Sequence, residues 1–173
     1  MSAPSGSHGN LALIERLANS FYTVVPEQYR TYCSFTSQII QEVLTHYGAP
    51  CQLVSCQIWY TQPNHIYVIG FLGKDTPSKW DGHVVCCCDH ILIDAATHHF
   101  EREFGLKVPS VMVSAMFEFP TPALAQTNIN ATDAIWWQPP PEGIDTSPPE
   151  EPLDLVMQYA EALIHKLDSL DGS

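Results

Sequence analysis

Apolar residues recur along this chain first with a helical period, then with a period of two, and at the end with a helical period again. Leu11, Ile14, Leu17, Ala18 and Phe21 predict a first helix over about 10–21, with Pro26 outside it. A second helix starts between Thr31 and Ser34 and runs to Tyr47. Ile39, Ile40, Val43, Leu44 and Tyr47 form its stripe and Gly48 supplies its stop. From Leu53 to Tyr60 the pattern alternates, with Val54, Cys56, Ile58 and Tyr60 on one side and Leu53, Ser55, Gln57 and Trp59 on the other, which predicts a strand. Ile66 to Leu72 is a short apolar run of the kind a buried strand gives, and Gly73 to Ser78 reads as a loop. Another strand is expected from Ser110 to Phe119, ended by Pro120 and Pro122. Pro139-Pro140-Pro141 and Pro148-Pro149 mark 138–152 as an extended connector, with Trp136-Trp137 before it read as a hydrophobic anchor in preference to an aromatic wall of a substrate cleft. Leu153, Leu155, Val156, Tyr159, Ala160, Leu163, Ile164 and Leu167 then define an amphipathic helix over 153–170 that packs back on the body. The expected organisation is a flexible stretch 1–9, a core over 10–137, the connector and the closing helix. The order of helices and strands is that of an α+β fold, a cysteine-bearing helix packed on an antiparallel sheet.

Between the loop and the later strand lies Trp80-Asp81-Gly82-His83-Val84-Val85-Cys86-Cys87-Cys88-Asp89-His90-Ile91-Leu92-Ile93-Asp94. It reads as a tight hairpin turning at Asp89-His90, so that Cys88 faces Ile91 and Val85 faces Asp94. His83, Val85, Leu92 and Asp94 then share one face of the ribbon. His83 and Asp94 become diagonal neighbours, roughly 7 Å apart at the backbone, within reach of a carboxylate-to-imidazole hydrogen bond that fixes the ring's tautomer.

Composition narrows the partners. Seven basic against nineteen acidic residues give a formal charge of −12, a field that repels nucleic acid and anionic membrane. The first residues carry no positively charged segment followed by an apolar one, and no apolar run approaches the roughly 18 residues of a membrane span. A cytoplasmic location is expected, with secretion by a signal-less route left open, as is the oligomeric state. Six cysteines stand at 33, 51, 56, 86, 87 and 88. Three are contiguous, and a strand would send their side chains to alternate faces, which favours reduced thiols over bridges. The same alternation argues against a zinc site from His83, Cys86 to Cys88, His90, His98 and His99, because no second Cys-x-x-Cys is present. No metal and no cofactor are expected. His98 and His99 read as loop residues.

Cys33 falls in the first turn of the second helix, where unpaired amides and the helix dipole favour a thiolate. Its own N–H is one candidate oxyanion donor. Gln28 is a candidate for the second, with Tyr22 and Tyr29 as alternatives. Tyr32 and Trp80 are candidate substrate-binding residues beside the nucleophile. Cys33, His83 and Asp94 together supply the nucleophile, the base and the group that orients the base.

A cysteine at the start of a helix, a histidine opening a strand and an aspartate in the next strand resemble the papain-like superfamily. The likeness is greatest to its transglutaminase-like and arylamine-acetyltransferase-like branch. Asp94-Ala95-Ala96-Thr97 is similar to the small residues and threonine that commonly follow the aspartate there. The Trp80-Asp81-Gly82-His83 element is similar to one in uncharacterised bacterial proteins of this type. The resemblance covers about residues 28–100. It implies acyl transfer through a thioester on Cys33, with His83 as acid and base and Asp94 as orienter. The substrate would be a protein, peptide or small acyl compound. The Cys33 neighbourhood lacks the Gly-Gln-Cys-Trp element of cross-linking enzymes, so hydrolysis of an amide, peptide or thioester bond is the favoured outcome. An amine acceptor, or a binding module that keeps the fold without the chemistry, is the alternative.

Overall fold

The computed structural model describes residues 7–73, 80–118 and 121–172. Three long helices lie on one side of a strongly curved antiparallel sheet: α1 (Ser7–Val24), α2 (Cys33–His46) and α4 (Leu153–Asp171). A single 3-10 turn (Glu27–Tyr29) joins α1 to α2, and a short α3 (His98–Phe104) follows the hairpin. The seven strands are β1 (Cys51–Gln62), β2 (His65–Ile69), β3 (His83–Cys88), β4 (Ile91–Asp94), β5 (Met112–Ala115), β6 (Ala125–Asn128) and β7 (Ala134–Gln138). They run in the order β5-β4-β3-β1-β7-β6, with β2 also on β1. Met116 bridges Ala125, and Ser114 Oγ donates to the Gln126 carbonyl at 3.1 Å, so the two ends of the path meet and the sheet is nearly a barrel.

The curvature gives two cores. On the helix side, Ile14, Leu17 and Phe21 of α1, Ile39, Ile40, Val43 and Leu44 of α2, and Val156, Ala160, Leu163 and Leu167 of α4 close over Cys86, Cys88 and Ile93. Inside the curved sheet, Cys56, Ile58, Tyr60, Val85, Cys87, Leu92, Phe100, Ile135 and Trp137 pack together. Strand alternation sorts β1 and the hairpin between these cores, as period two requires. Val54, Cys56, Ile58 and Tyr60 do fall on one face. α2 stops where expected, at Gly48, whose φ of 76° suits a residue without a Cβ and whose N–H donates to Thr45 O.

β1 organises the sheet because its halves have different neighbours. Cys51 to Cys56 pair with β3, and Ile58 to Gln62 pair with β2 along the same edge, while Gln57 to Thr61 pair with β7 on the other. β2 and β3 thus form one line interrupted by the excursion 70–82. Gln57 Nε2 donates to Gly70 O at 3.0 Å, and Phe71 N–H donates to Asp81 O at 2.5 Å, so the excursion leaves and rejoins the sheet at nearly one point.

Four expectations need correction. The run from Ile66 is not a buried strand: β2 is exposed over most of its length, because it pairs only with the outer half of β1. His98 and His99 open helix α3 instead of lying in a loop, bracketed by Thr97 and by Gly105 in the left-handed region. Trp136 and Trp137 belong to β7, a strand inside the sheet, and are more than a fastening for the prolines. Of the stretch 1–9, residues 1–6 lie outside the described residues and 7–9 already belong to α1. Residues 74–78 of the expected loop, and Phe119 and Pro120 at the expected strand end, also lie outside them. That strand is present in shortened form as β5. The proline-rich connector follows β7, turns at 142–144 and otherwise has no regular secondary structure, and it lies on the body: Ser55 Oγ donates to Thr146 O at 2.7 Å and Ser34 Oγ to Pro149 O at 3.1 Å.

Candidate active site

The hairpin sets the site. Asp89 and His90 both take positive φ, 46° and 64°, the conformation of a two-residue turn whose twist matches the strands. Cys88 pairs with Ile91 and Cys86 with Ile93. Continued by one step, this register puts Val85 opposite Asp94 and makes His83 its diagonal neighbour. Both side chains are buried completely, and His83 Nε2 lies 2.8 Å from Asp94 Oδ2.

A carboxylate taken wholly out of water costs several kcal/mol unless donors replace the water. Asp94 has three. Besides His83, Trp137 Nε1 donates to Oδ2 at 3.0 Å and the Ala96 amide donates to Oδ1 at 3.0 Å. Burial alone would raise its pKa, but the His83 charge and these three donors outweigh burial and hold the carboxyl below its usual range. The converse holds for His83. Burial opposes its charged form, yet Asp94, with a further contribution from Cys33, raises its pKa well above that of an ordinary histidine.

Cys33 completes the arrangement from the helix side. It begins α2, is nearly buried, and packs against Val84 and Ala96 beside Trp80. Its Sγ lies 3.8 Å from the Gly82 carbonyl. The thiol also interacts with the His83 ring. Because Nε2 is committed to Asp94, Nδ1 is the ring nitrogen left for the thiol, and Nδ1 is buried with no hydrogen-bond partner among the described residues. The amides of the first helical turn have no preceding carbonyl to pair with, so the Cys33 N–H is available to an oxyanion.

A cavity of about 480 Å³ opens at Cys33, lined also by Thr31, Tyr32, Ser34, Trp80, Gly82, His99, Arg102, Pro149 and Glu151. Tyr32 and Trp80 therefore stand where substrate-binding residues are expected. Gln28 sits exposed on the 3-10 turn and is not among the lining residues. Tyr22 donates its hydroxyl to the Ala95 carbonyl, which fixes the residue following Asp94. Tyr29 packs among Tyr32, Phe35 and Tyr159.

Three titratable cavity residues, His99, Arg102 and Glu151, and Trp137 behind Asp94, had been given no role in this site from the sequence. His99 is half-buried, with its ring edge-on to His83 at 5.9 Å between centroids. Arg102 lies 3.2 Å from its Nδ1. Burial, then the charges of His83 and Arg102, push the His99 pKa down to about 4, so this second imidazole is neutral beside a charged one. Glu151 comes from the connector. Thr97 and Gly105 at the two ends of α3 were the available signal for His99; the short apolar run Ala134–Trp137 was the signal for Trp137.

Among the described residues no group of histidine, cysteine and acidic side chains is arranged to hold a metal ion, and no helix is long and apolar enough to cross a membrane. Comparison with protein-family models, curated proteins and solved structures finds no match to this chain. What the architecture defines is an α+β protein with a buried histidine–aspartate pair facing a cysteine at a helix N-terminus.

Proposed function

We propose that this chain is a papain-like thiol enzyme that cleaves an amide, peptide or thioester bond through a thioester on Cys33. The observation that carries the proposal is the 2.8 Å contact between His83 Nε2 and Asp94 Oδ2, fully buried, with the opposite ring nitrogen left to the thiol of Cys33. In the proposed cycle Nδ1 of His83 takes the Cys33 proton and the sulfur attacks the carbonyl carbon. The Cys33 amide stabilises the oxyanion, and the imidazolium returns the proton to the leaving group. Water, activated by the same nitrogen, then releases the acyl group. Asp94 keeps the ring in one tautomer and stabilises its charge. No metal or cofactor enters this scheme. The substrate is a protein, peptide or small acyl compound, since the charge of −12 discourages nucleic acid and anionic membrane surfaces. Six unpaired cysteines suit a reducing compartment such as the cytoplasm.

The test is alkylation of each cysteine by iodoacetamide at pH 6, read by peptide mass spectrometry. Burial pushes the thiols of Cys87 and Cys88 up to about 12 and raises that of Cys56 as well, so these should be sluggish. Cys33 should react at least tenfold faster than any other cysteine and lose that advantage in His83→Ala. Equal reactivity in both proteins would overturn the proposal. A panel of amides, peptides and thioesters, with and without a primary amine, then separates hydrolysis from acyl transfer.

A further inference from the structure

Two charged side chains line the Cys33 cavity, Arg102 and Glu151, and they are not equivalent. The Arg102 guanidinium already has a counter-charge: its Nε donates to Glu103 Oε1 at 2.8 Å, and its Nη2 lies against His99 Nδ1. Glu151 forms no ion pair among the described residues. Its side chain interacts with the Ser34 hydroxyl, one residue along the helix from the nucleophile, and its half-burial raises the carboxyl pKa. The connector that presents it is fastened to the body at two points before Glu151, by Ser55 to Thr146 and by Ser34 to Pro149. The net charge at the cavity mouth is therefore that of one uncompensated carboxylate.

We propose that Glu151 is the specificity-determining group of this site and selects acyl substrates that carry a cationic group, an ammonium or a guanidinium, close to the carbonyl attacked by Cys33. This rests on Cys33 being the nucleophile. A carboxylate near a helix N-terminus also has a purely structural use, since it complements the helix dipole. The two roles differ in their consequence: only the first makes the reactivity of Cys33 depend on the charge of the incoming molecule.

Three methanethiosulfonates of similar size measure that dependence on the full chain: the neutral methyl, the cationic 2-aminoethyl and the anionic 2-sulfonatoethyl reagents. Each transfers its alkylthio group to a thiolate and releases methanesulfinate. Rates are read at the Cys33 peptide and divided by the rates of the same reagents with N-acetylcysteine amide. The cation-over-anion ratio should exceed that of the free thiol by about tenfold or more, as expected for one unit charge in a partly screened cleft. It should fall most of the way to the free-thiol value in Glu151→Gln. Glu150→Gln removes the same net charge from the exposed neighbouring position, outside the cavity lining, and should keep the preference. Equal losses in the two variants, or no preference in the wild type, would overturn the assignment of Glu151 alone. Failure of Cys33 to react with the neutral reagent would overturn the nucleophile assignment and the specificity assignment together.

Discussion

The indole N–H of Trp137 and the imidazole of His83 converge on the same oxygen of Asp94, at 3.0 and 2.8 Å. Trp137 is fully buried in β7, so the orientation of Asp94 is set by a strand that pairs with β1 and β6 and not with the hairpin itself. Trp137→Phe keeps most of the buried ring and removes one donor to a buried charge. A loss of about 1.5–3 kcal/mol in stability is expected. Cys33 alkylation at pH 6 should slow as well, because Asp94 is then held by two donors instead of three. Urea denaturation and peptide mass spectrometry read the two effects.

Asp94→Asn should cost more, about 3–5 kcal/mol, because it strands a buried imidazole without its counter-charge. The cost has a pH window. His83, raised from its ordinary 6.5, contributes its stabilisation in full below that value and loses it as pH climbs through the raised folded-state pKa. Asp94, lowered from 3.8, contributes in full above that value and loses it as pH falls through the lowered one. The gap in melting temperature between wild type and variant should be widest between pH 3.8 and 6.5 and should narrow toward both pH 2 and strongly alkaline solution. A gap that keeps widening above pH 8 would contradict the pairing.

His99 acts in the opposite sense. Its folded-state pKa of about 4 lies below the 6.5 expected for the unfolded chain, so between these values the unfolded state binds the extra proton. Stability supplied by keeping His99 neutral is present above pH 6.5 and drains away as pH falls to 4, by an amount on the order of 1–3 kcal/mol. In His99→Gln that part of the acid-side slope should disappear. Chemical denaturation at half-unit pH steps from 7 to 4 measures it.

Gly82 is where the Trp80 indole lies against the backbone, and a Cβ built there would overlap the ring. Gly82→Ala should push Trp80 away from the cavity mouth with little change in melting temperature. The rate of Cys33 with a bulky maleimide, relative to iodoacetamide, should then rise, and Trp80→Ala should raise it in the same way. A ratio unchanged in Gly82→Ala would mean that Trp80 does not shield the thiol.

The parts of this structure readable in the sequence are those governed by local rules. The stripe Ile39, Ile40, Val43, Leu44 could only be a helix face, and Gly48 could end it. Asp89-His90, a polar pair between two short apolar runs, marked the turn, from which the diagonal placement of His83 and Asp94 followed. Trp137, His99 and Glu151 were hidden for a different reason. Each reaches the site from a segment whose own pattern is brief or proline-rich, and each is held there by a contact distant in sequence: β7 on β1, the His98 N–H at the start of α3 on the Arg30 carbonyl, and the connector on Ser34. Local periodicity carries no information about such contacts, and β2 shows the converse, an apolar run that the described residues leave largely exposed.

Asp89 and His90 hold the turn at two residues, so His83 and Asp94 are always 11 positions apart. Since successive strand residues point to opposite faces, one residue added or lost between them would swing the carboxylate away from the imidazole, whatever residue it was. Substitutions of Cys86, Cys87 or Cys88 by other small apolar residues leave the count intact. The hairpin thus behaves like a reading frame written in strands: tolerant of changed letters, intolerant of a change in their number.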